Sequence, residues 1–222
     1  MTRNDEFHTD VLVVGSGPMG ATTALALATH GVRVLVVNRY NWTANTPRAH
    51  ITNQRAVEVL RDLGIEEETR RDATPWEWMG DTLFTTSLAG PEIARLRTWG
   101  TGDERVGDYL QGSPCGMLDL PQNKMEPILV KNAAERGAVF RFNTEYLGHT
   151  QDAQGVTVRL REVATGREYT VRARYLVGAD GARSKVMEDA GLQLEGQLAR
   201  AATAYVLFNA DLTRYAAHRP SI

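Results

Sequence analysis

Nothing in the chain narrows its possible folds more than residues 11–20, Val-Leu-Val-Val-Gly-Ser-Gly-Pro-Met-Gly. A short, branched apolar run bounded by polar His8-Thr9-Asp10 predicts a strand buried on both faces, as in a parallel sheet. The glycines then turn the chain into a small, helix-favouring stretch, residues 21–30, which Gly31 stops. Residues 32–37, Val-Arg-Val-Leu-Val-Val, supply a second strand. Strand, glycine turn, helix and strand in this order make the first half of a Rossmann unit. Gly15 makes the tight turn, Gly17 lets the backbone approach a pyrophosphate, and Gly20 lets helix and strand pack closely. The helix start at Pro18 and Met19 turns free N–H groups toward an anion. These five residues are candidate cofactor-binding residues for a dinucleotide, with FAD and a nicotinamide cofactor both open.

At the end of the second strand, where an acidic residue usually takes the ribose hydroxyls, stands Asn38. An amide bonds a hydroxyl less strongly than a carboxylate does. Arg39 follows, and suits either a phosphorylated ribose or a solvated loop position.

With 222 residues, 42% hydrophobic and 23% charged, the chain has room for one large domain, or one domain and part of another. A net charge of -2 gives no electrostatic case for nucleic acid or an anionic membrane as partner. The single cysteine, Cys115, excludes an internal disulfide framework and a cysteine-cluster metal site, and points to a structural role in a Ser-Pro-Cys-Gly turn. Acidic residues precede the first apolar run and glycines interrupt it, so it is not a signal peptide. No run approaches the roughly 20 apolar residues of a membrane span. A cytoplasmic protein is expected.

Downstream, a polar loop at 40–55 leads into a helix at 56–63 that Gly64 ends, and 66–71 form a solvated helix face. Residues 81–99 read as two strands about an Ala-Gly-Pro turn. Trp76, Trp78 and Trp99 suit either an aromatic pocket or buried packing. A helix at 122–136 closes at Gly137. Residues 139–146, 155–163 and 167–174 predict a three-stranded antiparallel meander, leading into a separate apolar strand at 175–178 that ends at Asp180. One further strand-like run spans 203–208.

Three stretches carry a resemblance: TPRAHITNQRAVEVLRDLG at 46–64, LPQNKMEPIL at 120–129 and GADGARS at 178–184. Together with the N-terminal glycine fingerprint, they make the chain similar to the N-terminal portion of class A FAD-dependent aromatic hydroxylases, most of all bacterial phenol and chlorinated-phenol hydroxylases. The resemblance implies an α/β, Rossmann-like FAD-binding fold of the glutathione reductase type. It divides the chain into an FAD-binding domain at 1–190, whose ribbon at 81–99 projects toward the substrate, and the beginning of a substrate-binding domain at 191–222.

By the same resemblance, Arg48 contacts FAD, and Arg55 matches a recurrent arginine. Gln122 contacts the cofactor as well, although a helix-capping role competes. Asp180 and Gly181, supported by Arg183, meet the ribose or riboflavin chain, in a motif tied also to nicotinamide cofactor binding; an ordinary turn with a helix cap is the alternative. His50 stands where phenol hydroxylases carry an acidic residue that polarises the phenol. An imidazole can accept a phenolic proton, which makes His50 the catalytic candidate; a loop histidine bonded to backbone is the other reading. The implied reaction is hydroxylation of a phenolic substrate through a flavin hydroperoxide, with NAD(P)H and O2 as co-substrates and a homodimer as the common assembly. A flavin reductase or dehydrogenase, and a non-catalytic flavin-binding fragment, are the alternatives.

Overall fold

The computed structural model describes residues 7–100, 102–197, 202, 204 and 206–219. In chain order the elements are β1 (Phe7–Val14), α1 (Pro18–Thr29), β2 (Val34–Val37), β3 (Ile51–Thr52), α2 (Gln54–Asp62), α3 (Glu66–Asp72), β4 (Thr82–Thr85), β5 (Glu92–Leu96) and α4 (Asp103–Gly112). There follow β6 (Leu118–Asp119), α5 (Gln122–Glu135), β7 (Val139–Arg141), β8 (Thr144–Asp152), β9 (Gly155–Glu162), β10 (Glu168–Gly178), α6 (Lys185–Asp189) and α7 (Thr213–Ala216). The chain divides into two compact units, Met1–Pro47 with Gln122–Ala201, and Arg48–Pro121 with Ala202–Ile222.

The first unit is built on a sheet in the order β7-β2-β1-β10-β9-β8. β1 lies parallel to β2 and to β10, and β2 parallel to β7, while β9 and β8 continue antiparallel from β10. All four residues of β2 are buried, as a strand covered on both faces requires. Leu12, Leu35, Val37, Val158, Leu160 and Val171 form the centre of the core. Helices α1 and α5 pack together. Gly31 and Gly137 end these helices where the sequence predicts; at the second, the Ala138 N–H reaches back to the Ala133 carbonyl at 3.0 Å, closing a Schellman turn.

Two strand predictions are corrected here. Residues 139–146 are two strands: Asn143, with φ of 51°, breaks the run, so β7 joins the parallel half and β8 starts the antiparallel half. The Asn143 and Thr144 N–H groups bond the carbonyls of Tyr40 and Asn38 at 2.9 Å each, which fixes the switch. The predicted strands at 167–174 and 175–178 are one, because nothing between Arg174 and Tyr175 breaks the extended backbone. β10 pairs with β9 over Glu168–Ala173 and with β1 over Val171–Gly178.

In the second unit, β3 and β6 pair antiparallel, with Ile51 opposite Asp119, and β4 and β5 form the predicted ribbon. Asn53 caps α2 by accepting from the Ala56 N–H at 2.9 Å, and α2 buries Val57 and Leu60 on one face. Leu63, Ile65, Met117, Leu118, Leu120 and Cys115 are also buried. Trp76 and Trp78, on a 3-10 turn, are 47% and 67% exposed, and so are not packed in a core; Trp99 is half-buried. The predicted strand at 203–208 is not formed at 206–208, and positions 203 and 205 lie outside the described residues. Among the described residues, no helix is long and apolar enough to cross a membrane.

Candidate dinucleotide-binding site

The site in the first unit begins where β1 runs into its glycine turn. Gly15 adopts φ of +101°, a region that disfavours side chains, and its N–H donates to the Val37 carbonyl at 2.8 Å. A Cβ here would collide with the Ala179 carbonyl oxygen, and one on Gly20 would collide with the Gly15 carbonyl oxygen. Gly17 is different. It is the N-cap of α1, and among the described residues beyond its chain neighbours a Cβ placed on it would meet only Glu126 Oε1, at 3.8 Å. The backbone here is therefore open on the side a phosphate would approach. Pro18 opens the helix, Met19 is exposed, and no carboxylate stands in the first turn of α1 to repel an anion. The turn thus has the shape and polarity that a pyrophosphate group needs.

The second glycine-flanked turn lies beside it. Val14 is registered against Gly178 across the parallel pair β1–β10, and the Ala179 N–H donates to the Val14 carbonyl at 2.8 Å. Gly181, with φ of +87°, has open space where a Cβ would be. The Asp180 carboxylate accepts from the Ser184 hydroxyl at 2.5 Å and from the Lys185 and Val186 N–H groups at 2.7 and 3.2 Å. It thereby binds the first turn of α6, which Ser184 also caps through the Met187 N–H. Arg183 is exposed in the same turn. Further along, the Tyr146 hydroxyl donates to Asp189 at 2.9 Å and meets His149 Nδ1 at 2.5 Å. Burial, followed by the Asp189 acceptor, pushes this phenol well above the ordinary tyrosine range.

Asn38 uses its side chain locally. Its Nδ2 donates to the hydroxyl of buried Ser16 at 2.5 Å, and its Oδ1 accepts from the Tyr40 N–H at 3.2 Å. Arg39 is exposed and lies over the Tyr40 ring, with a 2.8 Å bond to that hydroxyl. Gln122 starts α5 and donates to Glu126, one helical turn on. Glu126 also accepts from the Ala44 N–H at 2.6 Å. Beside Ala44, the Thr43 hydroxyl is buried with no hydrogen-bond partner among the described residues, a polar atom that a ligand could satisfy.

The other candidates belong to the second unit. Arg48 is exposed there, without a side-chain hydrogen bond or ion pair among the described residues. Arg55 is held by Glu58 at 2.6 Å on the surface of α2. His50 Nδ1 lies 2.8 Å from Asp119 Oδ1, brought there by the β3–β6 pairing, and the His50 carbonyl accepts from the Leu120 N–H at 2.7 Å. A carboxylate is acceptor-only, so this contact places the proton on Nδ1 and leaves Nε2 as the free base.

Sequence reasoning missed both Asp119 and Glu126. Nothing in the sequence joins residue 119 to residue 50, since two-residue strands leave no periodic signal. Glu126 did leave one: a charged residue four positions after Gln122, on the face of α5 that also buries Leu129 and Ala133.

Comparison with known proteins agrees with this geometry. Residues 8–222 match the family model described as FAD binding domain. A 2,4-dichlorophenol 6-monooxygenase from Cupriavidus pinatubonensis (strain JMP 134 / LMG 1197) is 58% identical over 215 residues, covering 97% of this chain and 36% of its own length. A phenol 2-monooxygenase from Pseudomonas sp. (strain EST1001) is 50% identical over 214 residues, covering 96% of this chain and 33% of its own. The crystal structure of the flavin-dependent monooxygenase PieE in complex with FAD and substrate superposes with a TM-score of 0.90 at 46% identity, over 96% of this chain and 37% of that one. The chain thus spans about a third of the length of each. A glycine turn open above Gly17, a second turn on the neighbouring parallel strand, and a family match along nearly the whole sequence lead to one conclusion: the chain belongs to the FAD binding domain family.

Proposed function

We propose that this chain is the FAD-binding part of an NAD(P)H-dependent flavoprotein monooxygenase that hydroxylates a phenolic aromatic substrate. One observation carries the reading: two glycine turns far apart in sequence end neighbouring parallel strands, one open for a pyrophosphate at Gly17 and the other open at Gly181. The names of the similar proteins supply the reaction class.

In this reading Gly15, Gly17, Pro18, Met19 and Gly20 receive the pyrophosphate. Asn38 and Arg39 face the ribose end, Gln122, Gly181 and Arg183 line the cofactor, and Arg48 contacts it from its loop. Asp180 meets the ribose or riboflavin chain and also holds the Gly181 turn against α6. FAD, when bound and reduced by NAD(P)H, supplies the chemistry that activates O2 for transfer to the ring. His50, with Nε2 free and Nδ1 held by Asp119, takes the phenolic proton and so makes the ring more electron-rich. Residues 1–190 form the FAD-binding domain, with the ribbon at 81–99 on the substrate side, and 191–222 begin the substrate-binding domain. The partners are a phenol, O2 and a second copy of the protein. A buried free thiol at Cys115 suits the cytoplasm.

The test has two stages. Titration of the chain with FAD should quench flavin fluorescence saturably; a flat titration overturns the cofactor assignment. In a protein carrying this chain, phenol should stimulate NAD(P)H oxidation with matching hydroxylated product. NAD(P)H oxidation indifferent to phenol would instead mark a flavin reductase.

A further inference from the structure

Glu126 is only 3% exposed, yet no cation stands at ion-pair distance from it among the described residues. Burying such a group is costly unless its lone pairs are occupied. Both oxygens are: Gln122 Nε2 donates to Oε1 at 2.5 Å, and the Ala44 N–H donates to Oε2 at 2.6 Å. The same Oε1 is the nearest atom to the open side of Gly17. An acidic group beside a pyrophosphate turn is electrostatically unfavourable for the ligand, so its presence calls for a compensating role.

The chemistry of the pair supplies that role. A carboxylate only accepts, so it forces the Gln122 amide to face it with nitrogen and to turn its carbonyl oxygen the other way. We infer that Glu126 is a positioning residue that locks the Gln122 amide in one orientation, so that Gln122 offers an acceptor to a hydroxyl of the cofactor's ribose or ribityl chain, while the Ala44 N–H anchors the loop after β2 to the same carboxylate. The inference rests on the FAD reading above and adds to it the polarity of the Gln122 contact.

A charge swap tests it. In Glu126→Gln, the new amide can accept from Ala44 and donate to Gln122 only if the Gln122 amide flips, which turns an N–H outward in place of the carbonyl. In the double variant Glu126→Gln/Gln122→Glu, the residue at 126 again bonds both partners, and the residue at 122 again offers only acceptors. Measured by FAD fluorescence on the 222-residue chain, the single variant should bind about tenfold more weakly, and the double variant should recover most of that loss. Unchanged affinity in a folded Glu126→Gln protein, or no recovery in the double variant, overturns the inference. The lock is also read without cofactor, from the Gln122 side-chain and Ala44 backbone amide resonances. Both should shift in Glu126→Gln, and unmoved resonances refute the lock itself. Wild-type chain that ignores FAD while these resonances do shift would defeat the cofactor reading and the polarity assigned to Gln122, and leave the lock standing.

Discussion

Ala179 donates its N–H to the Val14 carbonyl at 2.8 Å. Its own carbonyl oxygen occupies the space that a side chain on Gly15 would need. One residue of the second turn thus holds the end of β1 in place and requires the first turn to be glycine. The two turns are a single packed object, and their substitutions should separate folding from binding.

Gly15→Ala meets both a left-handed backbone and a collision with main-chain atoms, and should cost about 2 kcal/mol or more of stability. Gly17→Ala, at φ of -65° and with only an ordinary contact to Glu126, should stay within about 1 kcal/mol of wild type while weakening FAD binding by roughly tenfold or more, since the methyl group blocks the approach. Urea unfolding and flavin fluorescence on the two variants read the two effects independently. Equal loss of stability in both would contradict the division of roles.

Asp180→Ala removes three hydrogen bonds to the start of α6. It should lower stability by about 1–3 kcal/mol, more than Asp180→Glu, whose longer side chain keeps an acceptor near the same donors. Denaturant midpoints for the two variants decide this; an Asp180→Ala protein as stable as wild type would show the cap to be dispensable.

Asp119 should set the tautomer of His50. In wild type the neutral imidazole should carry its proton on Nδ1, visible in the two-bond nitrogen-proton correlations of the ring. Asp119→Ala should release the ring to a mixture of tautomers with little change in stability, because His50 is part-exposed.

Tyr146 should be silent where ordinary tyrosines titrate. Its phenol is buried and donates to Asp189, both of which favour the neutral form, so ionisation is displaced upward from the usual value near 10. In an alkaline absorbance titration, Tyr146→Phe should leave the amplitude gained around pH 10 unchanged. A loss of one tyrosine's share there would contradict the assignment.

Acid should erode stability through specific pairs. Hydrogen bonding to Arg33 and Arg172 lowers the pKa values of Asp10 and Asp152, and hydrogen bonding to Lys185 lowers that of Asp189. A carboxyl group whose folded pKa is depressed stabilises the fold fully above its unfolded value, near about 4, and loses that contribution as pH falls through the lower folded value. Urea midpoints should therefore hold between pH 7 and 5 and drop below about pH 4, with a shallower drop in Asp152→Asn.

What could be read from the sequence follows from the range over which each signal acts. The βαβ start, the helix expected at 122–136 and found at Gln122–Glu135, and its stop at Gly137 depend on local periodicity and turn chemistry, and all appear within a few residues of where the pattern places them. The His50–Asp119 contact depends on two-residue strands far apart in the chain, too short for any pattern. The division at Asn143 escaped because a left-handed asparagine between two extended runs looks, in sequence, like any polar residue facing solvent. Trp76 and Trp78 escaped for the opposite reason: bulk predicts burial, and the 3-10 turn presents them outward. Within the site, the glycines were legible because their backbone demands are intrinsic, whereas the partners of Asp180 and Glu126 come from tertiary packing.

β10 pairs antiparallel with β9 and parallel with β1, and ends one residue before the Ala179 turn. It therefore works as a ruler between the outer hairpin and the nucleotide cradle. Extra residues at the hairpin tip, 153–154, would dangle into solvent without consequence. A single insertion between Val171 and Gly178 would either invert the facing of everything beyond it or push the Ala179 turn off its mark against Val14. Length variation among natural variants of this chain is thus expected to gather at the tip and to spare the shaft.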